Sequence, residues 1–421
     1  MKRASRAHWW TVALSWLIGC GSPPEAPPSS EVPPSSVVVA PPSSIAPPTS
    51  IVGLDEPPPV PDEMLAAGPL LDRTPTAHAC VLVTDAAQPV LEGASATDVL
   101  ALGSSFVLAG YVAGTPERVD LARIAAGGSP SPLARVDLPG SLAADRRTVP
   151  PVLARLGDAT VGVGAIDANG GVILMRLPAG ELAPVVTSVQ VTTAGADVRY
   201  APALAHVDAG ALIAWTEPSG TTAHVRVALV DAAGAVVVIH DVTPEAGAAA
   251  APVFDTGAVL YAVDARAGIS VTHRTAFGQD GMPTPTTVAQ PINLAAEPPS
   301  FAVVRTHLGY AAVGNAATRA VGLVTLGSSD RARALVPGLG YGGALTMDAV
   351  PFGSAALFAM EAPSAADASA PHETRVRVVA GETIGEALTI PGLIEPRVAS
   401  GASAVAVVGR GAELWWARCA E

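Results

Sequence analysis

The positions of histidine and cysteine indicate whether the chain could hold a metal ion. Its three cysteines form no Cys-x-x-Cys pair, and its eight histidines form no His-x-His or His-x-x-x-His pair. A calcium loop needs alternating Asp and Asn oxygens, and Asp167-Ala168-Asn169-Gly170-Gly171 contains only part of such a loop. The sequence therefore predicts no metal and no other cofactor, and the Asp167 segment is interpreted as a turn.

Serine and glycine residues could belong to a catalytic or phosphate-binding site. A serine hydrolase needs its nucleophile in a strained Gly-x-Ser-x-Gly turn, whereas Gly103-Ser104-Ser105 and Gly401-Ala402-Ser403 look like ordinary turns before strands. The glycine-rich segment from Gly338 to Gly343 lies between predicted strands, so no helix N-terminus is available to bind an anion. No catalytic residue is predicted.

Carboxylates and aromatic residues could together serve a glycan hydrolase, which needs two carboxylates at a defined separation. Predicted loops carry Asp98, Asp197, Glu217, Asp264, Glu297 and Glu361. Trp215, Trp415 and Trp416 are the tryptophans available to stack on a sugar, and packing between sheets is the preferred interpretation for all three. Strand alternation requires Trp415 and Trp416 to point to opposite faces.

Cys20 is the residue whose surroundings predict a covalent modification. Three basic residues near the start precede an apolar segment from Trp9 to Ile18, which is too short to span a bilayer. The segment ends in Leu17-Ile18-Gly19-Cys20, which resembles the lipobox of bacterial lipoproteins. The resemblance implies cleavage before Cys20, a diacylglyceryl group on its thiol and stable anchoring by several acyl chains. An ordinary secretory signal with a chance cysteine is the alternative.

The expected location is the cell envelope, with the outer membrane favoured. Gly21 follows the modified cysteine, whereas an aspartate at this position retains the lipoproteins of enteric bacteria at the inner membrane. Residues 1–19 are assigned to the signal peptide. Residues 20–75 are assigned to a disordered tether, because Pro-Pro and Ser-Ser pairs recur through it and favour extended polyproline II structure. Residues 76–421 are assigned to one folded domain.

Short apolar runs recur about every 50 residues along this domain, which indicates an internal repeat. Residues 201–243 give one unit clearly: strands are predicted at 203–207, 211–215, 224–230 and 235–240, with turns at Asp208-Ala209-Gly210 and Asp231-Ala232-Ala233-Gly234. Two further predicted turns contain Asp167 and Asp280-Gly281. Four antiparallel strands in about 40 residues are the content of one propeller blade.

About seven such units make the domain similar to the degenerate β-propellers of exported bacterial proteins. The resemblance implies an all-β fold, with six or eight blades as alternatives to seven. Signatures of WD40, kelch and sialidase repeats are absent. A row of β-sandwich domains is the rival architecture, but a period near 50 is half of the ~100 residues that a sandwich needs.

The ends of the domain suggest how the ring closes. Strands 404–408 and 413–418 make only half a blade, and the missing half is expected from Cys80-Val81-Leu82-Val83-Thr84 and Pro89-Val90-Leu91. Antiparallel pairing of the strand that begins at Cys80 with the strand that ends at Cys419 would bring the two thiols within reach of each other. A Cys80–Cys419 disulfide is therefore predicted, and two buried free thiols are the alternative.

Charge and composition narrow the range of possible functions. The net charge is −13 and no basic cluster follows the leader, which gives no basis for a nucleic-acid partner. The predicted function is a membrane-anchored, non-enzymatic binding or scaffold module for a protein or an envelope polysaccharide, an expectation that rests on fold-level analogy. The alternative is a glycan hydrolase or lyase, whose mark would be two carboxylates converging with an Arg or His at one mouth of the central channel.

Overall fold

The computed structural model describes residues 67–421, apart from 143–148, 181–183, 221, 244–249, 256–257, 265–269, 293–299, 305–309, 316–319, 327–331, 342–345, 365–369 and 382. The predicted signal peptide, Cys20 and most of the predicted tether therefore lie outside the described residues. Within the described ranges the chain forms β-strands and no α-helix. Accordingly, these ranges hold no apolar helix of the length needed to cross a bilayer.

The described strands pair antiparallel into seven sheets, which we number along the chain. The first two strands, β1 (Cys80–Leu82) and β2 (Gln88–Pro89), belong to the last sheet. Sheet 1 contains β3 (Ala94–Leu102), β4 (Ser105–Val112), β5 (Arg118–Ala125) and β6 (Ser131–Asp137). Sheet 2 contains β7 (Val152–Arg155), β8 (Thr160–Ile166), β9 (Val172–Pro178) and β10 (Thr187–Thr192). Sheet 3 contains β11 (Ala203–Val207), β12 (Gly210–Ser219), β13 (Thr222–Val230) and β14 (Val236–Asp241).

The remaining sheets repeat this order. Sheet 4 contains β15 (Ala250–Phe254), β16 (Val259–Asp264), β17 (Ser270–Ala276) and β18 (Thr287–Ile292). Sheet 5 contains β19 (Ser300–Val304), β20 (Tyr310–Asn315), β21 (Ala320–Leu326) and β22 (Ala332–Tyr341). Sheet 6 contains β23 (Met347–Phe352), β24 (Ala355–Pro363), β25 (His372–Ala380), β26 (Thr383–Ile384) and β27 (Leu388–Pro391). Sheet 7 contains β28 (Arg397–Ser400), β29 (Val405–Val408) and β30 (Glu413–Cys419), joined by β1 and β2.

The sheets are arranged as a β-propeller, and the predicted all-β class is confirmed. The first strand of each sheet contacts the first strand of the next, from β3 through β7, β11, β15, β19 and β23 to β28. Because β28 in turn contacts β3, these strands close a ring around the centre of the domain. The last strand of each sheet lies at the outer edge.

Apolar packing occurs on both faces of a sheet, as expected where each sheet is stacked between two others. Strands β4 and β24 are buried along their whole lengths and consist mainly of Ala, Val, Leu and Phe. These side chains are small or flat enough to pack against the sheets on both sides. Trp416 is fully buried at the junction of sheets 7 and 1, where its ring meets that of Phe106 edge-on at a centroid distance of 5.0 Å. Trp415 points the other way and packs against the cluster between sheets 6 and 7, as the alternation predicted.

The unit predicted from residues 201–243 is confirmed in strand order. The difference lies in the β12–β13 hairpin, which stays paired from Ala211↔Val230 to Ser219↔Thr222 instead of opening into a loop at Pro218. The four predicted Asp-containing turns also form. In the turn at Asp167, the carboxylate accepts the Asn169 and Gly171 N–H groups at 2.7 and 2.8 Å, while Gly170 has a φ of +79° that suits glycine.

Sheet 7, which closes the ring, differs from the expected arrangement of two C-terminal and two N-terminal strands. Arg397–Ser400 forms a third C-terminal strand, so the N-terminus supplies only the outer strand. This outer strand is split, because β1 and β2 both pair with β30, opposite its two ends. The Cys80–Cys419 disulfide is present, and the two residues are register partners across β1 and β30 with Cα atoms 4.1 Å apart, which confirms that prediction.

The chain already contacts the sheets within the last part of the segment assigned to the tether. The Gly68 N–H donates to the Ala126 carbonyl at 3.0 Å, and the Leu71 N–H donates to the Val83 carbonyl at 2.9 Å. Leu70 packs against the apolar cluster between sheets 7 and 1. The domain therefore includes residues from at least Gly68 onward.

Candidate functional site

Two first strands carry an aspartate that bonds to the neighbouring sheet. Oδ2 of Asp98 accepts the Leu153 N–H of β7 at 2.7 Å, and Oδ2 of Asp348 accepts the Val398 N–H of β28 at 2.8 Å. Each aspartate lies opposite an alanine of its own second strand, Ala109 or Ala359, so both occupy the same position in their sheets. Each carboxylate thus fastens one first strand to the next at the centre of the ring.

Arg397 lies on the sheet between these two aspartates. Its guanidinium donates to the carbonyls of Met347 and Pro396, both at 3.4 Å. Burial raises the pKa of Asp98 to about 7, with the positive charge of Arg397 acting against this shift and the negative charge of Asp348 adding to it. Burial likewise raises the pKa of Asp348, and Arg397 again opposes the shift. We call Asp98, Asp348 and Arg397 the centre cluster.

A second polar group lies at the end of sheet 6, where its second strand leads into its third. The buried Glu361 carboxylate accepts the Glu395 N–H at 3.0 Å and the Thr346 hydroxyl at 2.9 Å, and its other oxygen lies 2.5 Å from Nδ1 of His372. Burial raises the pKa of Glu395 to about 7, opposed by Arg410 and reinforced by Glu361. Oε1 of Glu395 lies 3.4 Å from Arg410, while Oε2 is buried without a hydrogen-bond partner. We call Glu361, His372 and Glu395 the sheet-6 cluster.

The third group is more exposed and surrounds the corresponding end of sheet 3. Arg226 of β13 is held by two carboxylates, at 2.9 Å from Oε2 of Glu217 and 3.0 Å from Oδ2 of Asp241. Nδ1 of His224 also lies 3.0 Å from this Asp241 oxygen. Burial alone would raise the pKa of Asp241, but hydrogen bonds from Thr243 and His224 and the charge of Arg226 lower it. The Arg226 side chain is thus fixed in place while about a third of its surface remains exposed.

The loop that enters sheet 3 adds further polar groups beside Glu217. The Asp197 N–H donates to the Thr216 carbonyl at 2.8 Å, which places the loop against the end of β12. The Asp197 carboxylate binds Arg199 with distances from 2.6 to 3.1 Å, and these bonds lower its pKa against the effect of burial. Arg199 is 75% exposed and its guanidinium lies 5.9 Å from the centre of the Tyr200 ring. We call Asp197, Arg199, Tyr200, Glu217 and Arg226 the sheet-3 rim.

The six carboxylates that the sequence analysis assigned to loops are divided among different places, and four of them, Asp98, Glu217, Asp264 and Glu361, lie in strands instead. Asp98 and Glu361 belong to the centre and sheet-6 clusters, and Asp197 and Glu217 belong to the sheet-3 rim. Asp264 ends β16, and Glu297 lies outside the described residues. An enzyme would be marked by two carboxylates that converge with an Arg or a His. Such groups do occur in part, but they are formed mainly by residues that the sequence analysis did not single out: Asp348, Glu395, Arg397 and Arg410.

A repeated position is the signal that could have identified the centre cluster. Asp98 lies four residues before Leu102, the end of β3, and Asp348 lies four before Phe352, the end of β23. Aligning the first strands would have placed both aspartates, and Arg397, near one another.

The three tryptophans do pack in the protein interior: Trp215 is 3% exposed, Trp416 is fully buried and Trp415 is partly buried. In the described ranges, no three His, Cys, Asp or Glu residues are grouped so that they could hold a metal ion.

Comparison with known proteins adds to the evidence for the fold. No protein-family model matches the sequence, and the search of curated proteins finds no relative. The structure is similar to the BP39L lectin from Burkholderia pseudomallei, with 11% identity, a TM-score of 0.53 and coverage of 78% of this chain and 96% of the lectin. The Aleuria aurantia lectin has 10% identity, a TM-score of 0.42 and coverage of 78% and 92%. A prolyl endopeptidase structure has 10% identity and a TM-score of 0.44, and the match spans 77% of this chain and 50% of that protein. At such identities the likeness to BP39L shows a shared propeller fold.

Proposed function

We propose that this protein is a lipid-anchored module of the bacterial cell envelope that binds a protein or an envelope polymer without transforming it. In this proposal Cys20 carries the acyl chains that hold it at the outer membrane, and the seven sheets are the seven blades of one closed propeller. The ligand contacts the sheet-3 rim.

The carboxylates of the centre cluster and the sheet-6 cluster carry this proposal, because they bind backbone N–H groups. Asp98 and Asp348 each accept a backbone N–H of the next sheet, and Glu361 accepts one from Glu395. A carboxylate engaged in this way stabilises the junction of two sheets, and freeing it for acid–base chemistry would leave a buried N–H group unpaired. The residues at the centre therefore favour a rigid scaffold over a catalytic site.

The sheet-3 rim has the properties of a preorganised binding surface. Its two arginines are held by carboxylates at hydrogen-bond distance, so little side-chain freedom is lost when a ligand binds. Exposed ion pairs of this kind contribute little to folding stability, about 0 to 1 kcal/mol each. Fixed donors, fixed acceptors and the half-buried ring of Tyr200 together suit a hydroxyl-rich polymer or a polar protein surface.

A retention assay with purified peptidoglycan sacculi and purified outer-membrane polysaccharide tests this surface. We expect Arg199→Ala combined with Arg226→Ala to weaken binding by at least about tenfold, equivalent to about 1.4 kcal/mol. Arg135→Ala is the matched control, because Arg135 is an exposed arginine paired with Asp120 on sheet 1. If the double variant and the control bind as the wild type does, the rim is not the binding surface. If none of these polymers is retained, pull-down from detergent-solubilised membranes with the same variants tests a protein ligand.

Metabolic labelling with a fatty-acid probe tests the anchor separately. The wild type should incorporate the label, and Cys20→Ala should not, because the thioether and the acylated amine both depend on that residue. Equal labelling of the two proteins would contradict lipidation at Cys20. This outcome would leave the binding surface unaffected, since the retention assay does not need the anchor.

A glycan hydrolase or lyase remains the second candidate, and one observation favours it. Glu395 has a pKa of about 7 and one buried oxygen without a partner, properties found in catalytic general acids. Release of reducing ends from the same polysaccharides, lost in Glu395→Gln, would establish this activity. Absence of release from every polysaccharide that binds would support the non-enzymatic function.

A further inference from the structure

The outer strands of a propeller expose unpaired N–H and C=O groups, and natural sheets protect such edges from pairing with other chains. Proline, charged side chains and irregular strands are the usual protections. Five of the seven outer edges described here contain a proline: Pro132 in β6, Pro291 in β18, Pro337 in β22, Pro391 in β27 and Pro89 in β2. Strand β10 has no proline, but its exposed residues are polar and its register shifts between Gln190 and Thr192.

Strand β14 also has no proline and shifts its register with β13 between Val236 and Val238, but two of its three exposed residues are apolar. It is a six-residue strand of sequence Val-Val-Val-Ile-His-Asp that pairs only with β13, so its outer edge is open. Val237 and Ile239 are 58% and 45% exposed. The other two large apolar residues exposed in the described ranges, Val185 and Met282, lie in the loops leading to the outer strands of sheets 2 and 4. The four large apolar residues that are exposed among the described side chains thus all lie on the outer part of three consecutive sheets.

The order of residues in β14 suits pairing with an identical strand. In an antiparallel pair centred on Val238, each Val237 lies opposite Ile239 of the second copy, and each Val236 lies opposite His240. Asp241 then lies opposite Ala235, so that no two like charges face each other. Parallel pairing would instead place one Asp241 beside the other. The charge pattern therefore favours the antiparallel arrangement, which has two-fold symmetry and closes after two copies.

We propose that β14 is a dimerisation edge, through which two copies of this chain join their third sheets into one eight-stranded sheet. Backbone hydrogen bonds between the two edges supply most of the pairing, and contacts of Val237 with Ile239 set the register. A six-residue edge buries less surface than a standard stable interface, so the dimer is expected to be reversible, with a dissociation constant on the order of micromolar.

Sedimentation velocity of the full chain tests this proposal. Cys20→Ala is introduced in every sample, with a density-matched detergent present, so that acyl chains cannot cause association. The parent protein should change from monomer to dimer as its concentration rises to about 100 μM. Val237→Lys with Ile239→Lys should remain monomeric, because each introduced lysine would face another across the two-fold axis.

A charge-reversed pair tests the register itself. Val237→Lys with Ile239→Glu should dimerise again, because each introduced lysine would lie opposite an introduced glutamate of the second copy. Val185→Lys with Met282→Lys is the matched control for loss of exposed apolar surface, and it should dimerise like the parent. All four positions are exposed, so the variants should keep the parent's far-ultraviolet circular dichroism.

Three results would overturn the proposal. The first is a parent protein that stays monomeric over the whole concentration range. The second is a double-lysine variant that dimerises as well as the parent, which would place the interface elsewhere. The third is a charge-reversed variant that stays monomeric like the double-lysine variant, which would contradict the antiparallel register.

Discussion

Tyr111 shows how a single side chain joins two sheets of the ring. Its hydroxyl accepts the Ile166 N–H at 2.8 Å and lies 3.3 Å from the Ile166 carbonyl, although the two residues are in sheets 1 and 2. Thr216 plays a similar part between sheets 3 and 4, since its hydroxyl accepts the Ala251 N–H at 3.1 Å. Such bonds satisfy backbone groups that the sheets themselves leave unpaired at their ends.

Replacing Tyr111 by phenylalanine should therefore destabilise the domain. The ring would still fill its buried site, but the Ile166 N–H would lose its acceptor, which costs about 1–3 kcal/mol. Tyr200→Phe is the control, because Tyr200 is partly exposed, and its effect should stay within about 0.5 kcal/mol. Urea denaturation at one pH measures both free energies of unfolding. Equal stability of the two variants would show that the Tyr111 hydroxyl contributes nothing.

Asp98 gives a prediction for the dependence of stability on pH. Its pKa is raised to about 7 in the folded protein from an ordinary value of 3.8, so between these values the folded state binds more protons than the unfolded state. Stability from this group is complete below about pH 4 and is lost as the pH rises through 7. At about 1.4 kcal/mol for each pKa unit, the loss has an upper limit of about 4 kcal/mol.

Asp98→Asn isolates this contribution. The amide oxygen can still accept the Leu153 N–H, but the side chain no longer titrates. Between pH 5 and pH 8 the free energy of unfolding should therefore fall less for the variant than for the wild type, as measured by urea denaturation at both values. Because other groups titrate over the same range, the difference between the two proteins is the quantity to compare. Identical pH dependence would mean that Asp98 titrates near its ordinary pKa in the fold.

At the scale of strands, most of the correctly predicted structure follows from local sequence patterns. Four strands and two turns of sheet 3 follow from residues 201–243, because turn residues and apolar runs act within a few positions of one another. The third C-terminal strand, Arg397–Ser400, was missed because four residues after a proline give little periodicity. The placement of Asp348 close enough for its charge to affect Asp98 depends on ring closure between distant parts of the chain, which no local pattern contains.

The outer strand formed by β1 and β2 should be essential to sheet 7. A variant that begins at Gly93 loses both segments, leaving β30 as an unpaired edge and removing Gln88, whose side-chain oxygen accepts the Trp416 indole N–H at 3.2 Å. We expect its melting temperature to fall by more than about 10 °C relative to a chain that begins at Ala67. Circular dichroism during heating measures both proteins.

A second variant separates the strand from the disulfide. Cys80→Ala with Cys419→Ala keeps β1 and β2 in place and removes only the bridge, so it should melt between the other two proteins. If the variant that begins at Gly93 melts at the temperature of the longer chain, the N-terminal strands are not part of the stable fold.

At the scale of the whole molecule, the domain is a ring whose two ends meet in one sheet. The disulfide joins residues 339 positions apart, and a loop of this length corresponds to about 5–6 kcal/mol in the chain-entropy model. Such a bridge forms in an oxidising compartment, which agrees with the proposed location outside the cytoplasm. The ring then presents the sheet-3 rim and the β14 edge on the same sheet, where Asp241 ends β14 and holds Arg226 of the rim.

Counting free thiols in the protein exported by its predicted signal peptide tests whether the two ends of the domain meet at Cys80 and Cys419. The denatured protein is alkylated with N-ethylmaleimide, with and without prior reduction, and its intact mass is measured. Cys20→Ala is used so that only Cys80 and Cys419 can react. The disulfide should leave no added maleimide before reduction and two after it, whereas two added before reduction would contradict the bridge and the closure that it secures.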